Sequence, residues 1–214
     1  SIFDPNDGFV HVSYVGACIP AMHATVRAVF QAVRAGLDRS PEAFRRLRLH
    51  FVGTSYSANG HAPQGVLALA REAGIESSVD EHPGRIPYLE SLQVMIDSQA
   101  LLLLGSDEPH YTASKVFPYI LAERPVLAIF HEESSVVRIL CETGSGRVIS
   151  FNNRDAASSR VNEIHTWLSE IASPRGERNL PSRTEAFDSY SVRAITGKLA
   201  GDFDQAVNGK HARH

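Results

Sequence analysis

Lysine is almost missing from this chain: of 21 lysines and arginines in 214 residues, only Lys115, Lys198 and Lys210 are lysines. Cysteine is scarcer still. Cys18 and Cys141 stand alone in apolar contexts, ValGlyAlaCysIlePro and IleLeuCysGluThr, with no CxxC spacing and no Cys/His cluster. That excludes a thiolate zinc site and fits a reducing, cytoplasmic compartment. No run approaches the roughly 18 apolar residues of a membrane span; the longest, Ala100 to Leu104, is strand-sized. The opening SerIlePheAspProAsnAspGly has no basic region followed by an apolar stretch, so no secretion signal is expected. A net charge of -3 gives no reason to expect nucleic acid or another polyanion as partner.

What is present is ordinary for a globular protein: 43% hydrophobic and 21% charged residues. The length of 214 residues suits one sizeable α/β domain. We place it at residues 9–208, after an extension at 1–8 and before a tail at 209–214 expected to be disordered.

Along the chain, strand-like and helix-like patterns alternate. Strands are predicted at Val10–Val15, Leu47–Val52, Val79–Glu81, Ala100–Leu104, Pro125–Phe130 and Gly146–Phe151. Between them, 3.6-residue periodicity predicts helices near Ala24–Leu37, Gln64–Ala73, Leu89–Ser98, Ser114–Ala122 and Ser134–Glu142. Further helices are predicted at Ala156–Ile171 and Ser191–Val207, separated by a polar, proline-containing loop. Such alternation implies a doubly wound, Rossmann-like parallel sheet covered by helices on both faces. Ligands of such sheets sit at the carboxyl ends of the strands. The functional loops are then those at Gly16–His23, Gly53–Pro63, His82–Tyr88, Gly105–Ser114 and His131–Ser135.

The most informative stretch runs from Leu101 to Ala128. A continuous apolar strand passes through a polar loop into a helix, aiming the helix N-terminus and its unpaired N–H groups at the strand-end crevice. Pro118 is tolerated only in a first helical turn, which puts the start near Ser114 or Lys115. Ser114 or Thr112 would cap it, leaving the N–H groups around Ala113 to Val116 to face a phosphate. Lys115 stands at the same end, where the helix dipole disfavours a cation unless an anion is bound. A solvated surface lysine and a phosphate contact both fit the residues alone.

At residues 114 to 128 the chain reads SerLysValPheProTyrIleLeuAlaGluArgProValLeuAla. This resembles the SerLysLeuPheGluTyrLeuAlaAlaGlyArgProValLeuAla pattern in the C-terminal domain of GT-B glycosyltransferases related to family 4. TyrValGly (Tyr14–Gly16), PheValGlyThr (Phe51–Thr54), GlyArgIleProTyr (Gly84–Tyr88) and ThrGlySerGlyArgValIle (Thr143–Ile149) follow the family's order. The resemblance covers roughly Phe9 to Phe151 and the final helix. It implies a domain that binds a nucleoside-diphosphate sugar, UDP- or GDP-linked, with no tightly bound cofactor or metal. That domain would transfer the sugar to an acceptor hydroxyl together with an N-terminal, acceptor-binding domain. The present chain alone is expected to be inactive, and any peripheral membrane contact would belong to the other half. By the same resemblance, Gly16, Thr112, Ala113, Ser114 and Lys115 hold the diphosphate; Arg85, Ile86, Tyr111 and Glu108 meet base or ribose; and His110 faces the sugar.

Two departures accompany the resemblance. Many members carry two glutamates separated by seven residues across this strand, loop and helix; here His110 and Pro118 occupy those positions. Ribose contact then falls to Glu108, Tyr111 or backbone, or the donor is bound differently. The usual basic pair near the first loop is also not evident, with Arg27 the nearest guanidinium and His23 a candidate contributor. These departures motivate an alternative, a GT-B-like domain that has lost catalysis and serves as a carbohydrate-binding or assembly module. GlySerGly at 144–146 leads into a strand, so it is a helix C-cap and turn, not a dinucleotide fingerprint. Ser134 is expected to cap the helix that follows it.

Overall fold

The computed structural model describes residues 2–55, 65–109, 111, 115–152, 154–173, 187 and 190. Six strands, β1 (Val10–Val15), β2 (Leu47–Val52), β3 (Val79–His82), β4 (Ala100–Leu104), β5 (Val126–His131) and β6 (Arg147–Phe151), form one sheet in the order β3-β2-β1-β4-β5-β6. Every neighbouring pair is parallel. The helices are α1 (His23–Arg39), α2 (Pro41–Phe44), α3 (Gly65–Glu72), α4 (Tyr88–Asp97), α5 (Val116–Leu121), α6 (Ser135–Thr143), α7 (Arg154–Ser159) and α8 (Val161–Ala172). Each predicted strand is present, with ends within a residue of expectation; β4, a continuous apolar run closed by Gly105, leaves least choice of element.

The strand order reverses between β1 and β4, and this decides which helices cover which face. Val12, Leu49, Phe51, Leu102 and Ile129 point into a core shared with α1, α3 and α8, where Phe30, Val33 and Leu168 are fully buried. On the other face Leu101, Leu103, Ala128 and Phe130 pack against α4, α5 and α6, together with Phe3 from the N-terminal segment. The period of two along each strand sends alternate residues to opposite cores.

Four local differences from expectation have physical causes. The helix predicted over 156–171 is broken into α7 and α8 at Arg160, whose φ of -89° and ψ of 2° are not helical. The short α2 has no periodic signal; it is set by Pro41 in its first turn and by Phe44, whose ring packs where a Cβ on Gly36 would come within 2.1 Å. Helix α5 spans only Val116–Leu121, so Pro118 is its third residue, where an N–H would have no helical partner. Two residues beyond its end stands Glu123, held at φ 52°, at the position where the resembled pattern has glycine. Cys141 is exposed on α6 and not packed in apolar surroundings, because the buried stripe of that helix runs through Val136, Ile139 and Leu140. The helix expected at 191–207 and the tail at 209–214 lie outside the described residues.

Candidate functional site

The point where the strand order reverses is also where the sheet comes apart. Strands β1 and β4 pair only at Val12↔Ala100 and Ser13↔Leu101. Beyond that, the fully buried Tyr119 of α5 takes over: its hydroxyl accepts a hydrogen bond from Val15 N–H at 2.8 Å. The next amide, of Gly16, turns the other way and donates to Val52 O on β2 at 2.7 Å. The gap opens at the carboxyl ends of the strands, where α/β sheets bind their ligands.

Gly16 leaves β1 at φ 145°, and a Cβ placed on it would lie 1.7 Å from Nζ of Lys115. The Lys115 ammonium therefore lies directly over the glycine, across the gap from its own helix. A cavity of about 360 Å³ opens there, walled by Gly16, Gly53, Arg85, Ile86, Tyr88 and Lys115, with Ser55 and Ser91 adding hydroxyls. No carboxylate is among the described residues that line it. Burial, and secondarily the charge of Arg85, hold the Lys115 ammonium below its usual pKa. Two cations sharing one cavity without an acid form an electrostatic sink for an anion.

The nearest buried acid is fully occupied. Glu81, at the end of β3, accepts from Thr54 Oγ1 at 2.7 Å and from Leu67 N–H at 2.7 Å. It thereby caps α3 from a distance and fixes the loop after β2. Burial, and then Glu81, push the Cys18 thiol up to about 12, so it is not a thiolate nucleophile.

Of the residues singled out in the sequence, Gly16, Arg85, Ile86 and Lys115 converge on this cavity from three separate loops. Tyr111 and Glu108 do not line it. The Tyr111 ring stacks on Phe130 with centroids 6.3 Å apart, its carbonyl accepts from Ser134 Oγ at 2.8 Å, and its N–H donates to Glu108 O at 3.1 Å. Ser134 also caps α6, as expected, by accepting from Val136 N–H at 3.3 Å. His110, Thr112, Ala113 and Ser114 lie outside the described residues. Arg27 is directed away, to Glu72 of α3 at 2.9 Å. His23 opens α1 without capping it, and its pKa is lowered by burial first and by Arg27 second. Tyr119 and Ser91 were not singled out in the sequence, whereas Ser55 and Tyr88 lie in two of the loops it named. For Tyr119 a signal existed, since it follows Lys115 by four residues and so shares its helix face.

No family model and no curated protein sequence matches the chain. Solved structures do. A glycosyltransferase from Rickettsia africae superposes with a TM-score of 0.61 at 13% identity, over 94% of this chain and 48% of that one. Anabaena HepE, solved in complex with UDP-glucose, gives 0.59 at 15% identity, over 94% of this chain and 50% of that one. The C-terminal domain of LpcC, a glycosyl transferase group 1 family protein from Francisella tularensis, gives 0.52 at 10% identity, over 86% of this chain and 87% of that domain. The chain spans about half the length of the full glycosyltransferases it matches, and nearly all of the isolated C-terminal domain. Parallel strands, their order and this extent agree on one architecture: the chain has the fold of the Rossmann-like C-terminal half of the GT-B glycosyltransferases.

Proposed function

We propose that this domain binds a nucleoside-diphosphate sugar at the cavity over Gly16 and, with a second, acceptor-binding domain, transfers the sugar to a hydroxyl group. The observation that carries this reading is the placement of Lys115 Nζ over Gly16, in a cavity shared with Arg85 that no carboxylate lines among the described residues. In the transfer the acceptor oxygen bonds to the anomeric carbon as the bond from that carbon to the diphosphate oxygen breaks, and negative charge builds on the departing diphosphate. In this reading the charges of Lys115 and Arg85 stabilise the charge that builds on the diphosphate. The proton of the acceptor hydroxyl leaves to a base on the second domain. Alone, this domain binds the donor without transferring it.

Calorimetric titration of the chain with UDP, GDP and ADP should show binding of at least one, and Lys115→Ala should weaken it tenfold or more, about 1.4 kcal/mol. No binding of any of the three, in a protein that also carries the second domain, would defeat the reading. The alternative of a carbohydrate-binding or assembly module draws on Pro118, whose ring offers no group to a ribose hydroxyl. A two-domain protein that binds glycan yet neither transfers nor hydrolyses a donor sugar would favour it.

A further inference from the structure

We infer that Tyr119 is the positioning residue of this donor site: its phenol replaces β4 as the hydrogen-bonding partner of Val15 and so sets the Val15–Gly16 peptide where Gly16 and Lys115 together receive a diphosphate. The inference rests on the donor-site reading and adds to it the group that shapes the site without touching the ligand.

The geometry follows from the alternation of a parallel strand, in which the N–H and C=O of one residue face the same neighbour. Gly16 N–H goes to Val52 of β2, so the N–H and C=O of Val15 face the β4 side. No β4 residue is paired with Val15. The Tyr119 hydroxyl meets both groups, at 2.8 Å from the nitrogen and 3.4 Å from the oxygen. Burial raises the pKa of this phenol, so the hydroxyl stays protonated and can donate as well as accept. A ladder bond would hold β1 and β4 at about 4.8 Å. A side chain reaching in from α5 instead lets the two strand ends separate, and the crevice is that separation.

The same helical turn holds the charge. Tyr119 N–H donates to Lys115 O at 3.3 Å, so the two residues are fixed relative to each other by a main-chain bond. The phenol of α5 thus holds the end of β1 at Val15, while the ammonium of Lys115, one turn before it, lies over Gly16. On the other face Thr25 Oγ1 lies 2.9 Å from Gly105 O and 2.8 Å from Met22 O, its single proton available to either carbonyl, and so links the end of β4 to the start of α1. Both lips of the gap are therefore held by side chains.

The test compares Tyr119→Phe with Phe44→Leu, a core change against α2, measured where both remain fully folded. Nucleotide-free NMR spectra of Tyr119→Phe should show displaced Gly16 amide and Lys115 ammonium resonances, and its UDP affinity should fall about tenfold. Phe44→Leu should lose stability but keep both resonances and the parent's affinity. If Tyr119→Phe behaves like Phe44→Leu, Tyr119 is only a core residue and the inference is overturned. If parent and variants all fail to bind UDP, GDP and ADP, also in a protein that carries the second domain, the donor reading fails by itself, while the nucleotide-free resonances still decide whether Tyr119 positions Gly16 and Lys115. Should Tyr119→Phe not fold, 3-fluorotyrosine at position 119 alters the strength of the same hydrogen bond at nearly constant shape, and the same two readouts apply.

Discussion

Among the described residues, two groups of ionisable side chains stand at the sheet face that carries α4, α5 and α6, and they are built on opposite plans. Toward the amino end of β1, His11 Nδ1 hydrogen-bonds with His50 Nε2 of β2 at 2.8 Å, and His11 Nε2 meets Asp7 at 2.9 Å. Asp80 lies 3.5 Å from His50 Nδ1, and Phe3 stacks over both rings at 4.2 and 4.4 Å. The chain lids that cluster and pairs its ring nitrogens except His50 Nδ1, which has no hydrogen-bond partner among the described residues. At the carboxyl ends, Lys115 has no hydrogen-bond or ion-pair partner among the described residues, and its charged neighbour is Arg85, another cation. A polar group covered by its own chain reports on structure, whereas a lysine without a partner among the described residues, beside a second cation, marks a place suited to an anion.

The largest expected effect tests the closed cluster. Burial first, then the charges of His11 and His82, lower the His50 pKa to about 3, while Asp7 raises it and Arg48 lowers it. The folded state therefore binds this proton more weakly than the unfolded state does. Stability is complete above the ordinary histidine range near 6.5 and is lost as pH falls from there toward 3, with a slope of up to about 1.4 kcal/mol per pH unit. Urea unfolding of the parent and of His50→Leu between pH 8 and 4 checks this: the difference between the two should shrink or reverse on the acid side. Parallel curves would mean that the histidine pair is no more than packing.

A smaller effect concerns a carboxylate that sits near the crevice but belongs to the closed plan. Both Glu81 oxygens are engaged, by Thr54 and by Leu67 N–H. Glu81→Leu leaves those donors unpaired and should cost about 1–3 kcal/mol in chemical denaturation. Nucleotide affinity of the folded protein should stay within about twofold of the parent, because no charge facing the cavity changes. A selective loss of UDP binding at unchanged stability would move Glu81 from scaffold to site.

The sequence made the strands legible because Leu101 to Leu104 and Val126 to Phe130 are continuous apolar runs that only a doubly covered sheet accommodates. Lys115 was legible as an outlier in an arginine-rich chain beside a proline that fixes a helix start. Arg85 and Ile86 followed from the loop that carries them. The closed histidine cluster was not legible: His11 and His50 are 39 residues apart, and only the parallel register of β1 with β2 brings them together. The Tyr119 contact was hidden for the same reason, since nothing local signals that β1 and β4 stop pairing after Ser13. α2 escaped because four residues are too few for periodicity, and its packing depends on a glycine in α1.

The smallest effect concerns the open plan in the absence of any nucleotide. The Lys115 pKa is lowered, so the unfolded chain holds that proton more tightly than the folded one, and keeping the charge opposes folding at neutral pH. Lys115→Met should therefore melt slightly above the parent. The open cavity screens the charge and keeps the gain below about 1 kcal/mol, or a few degrees at most. As pH rises through the depressed lysine pKa toward 10.5, the parent sheds the proton and the two melting curves should converge. Saturating UDP should reverse their order at neutral pH, since a ligand that binds only the folded parent stabilises it by RT ln(1 + [L]/Kd). A variant that melts lower than the parent without nucleotide would mean that Lys115 has a partner in the folded chain, and the contrast with the histidine cluster would be lost.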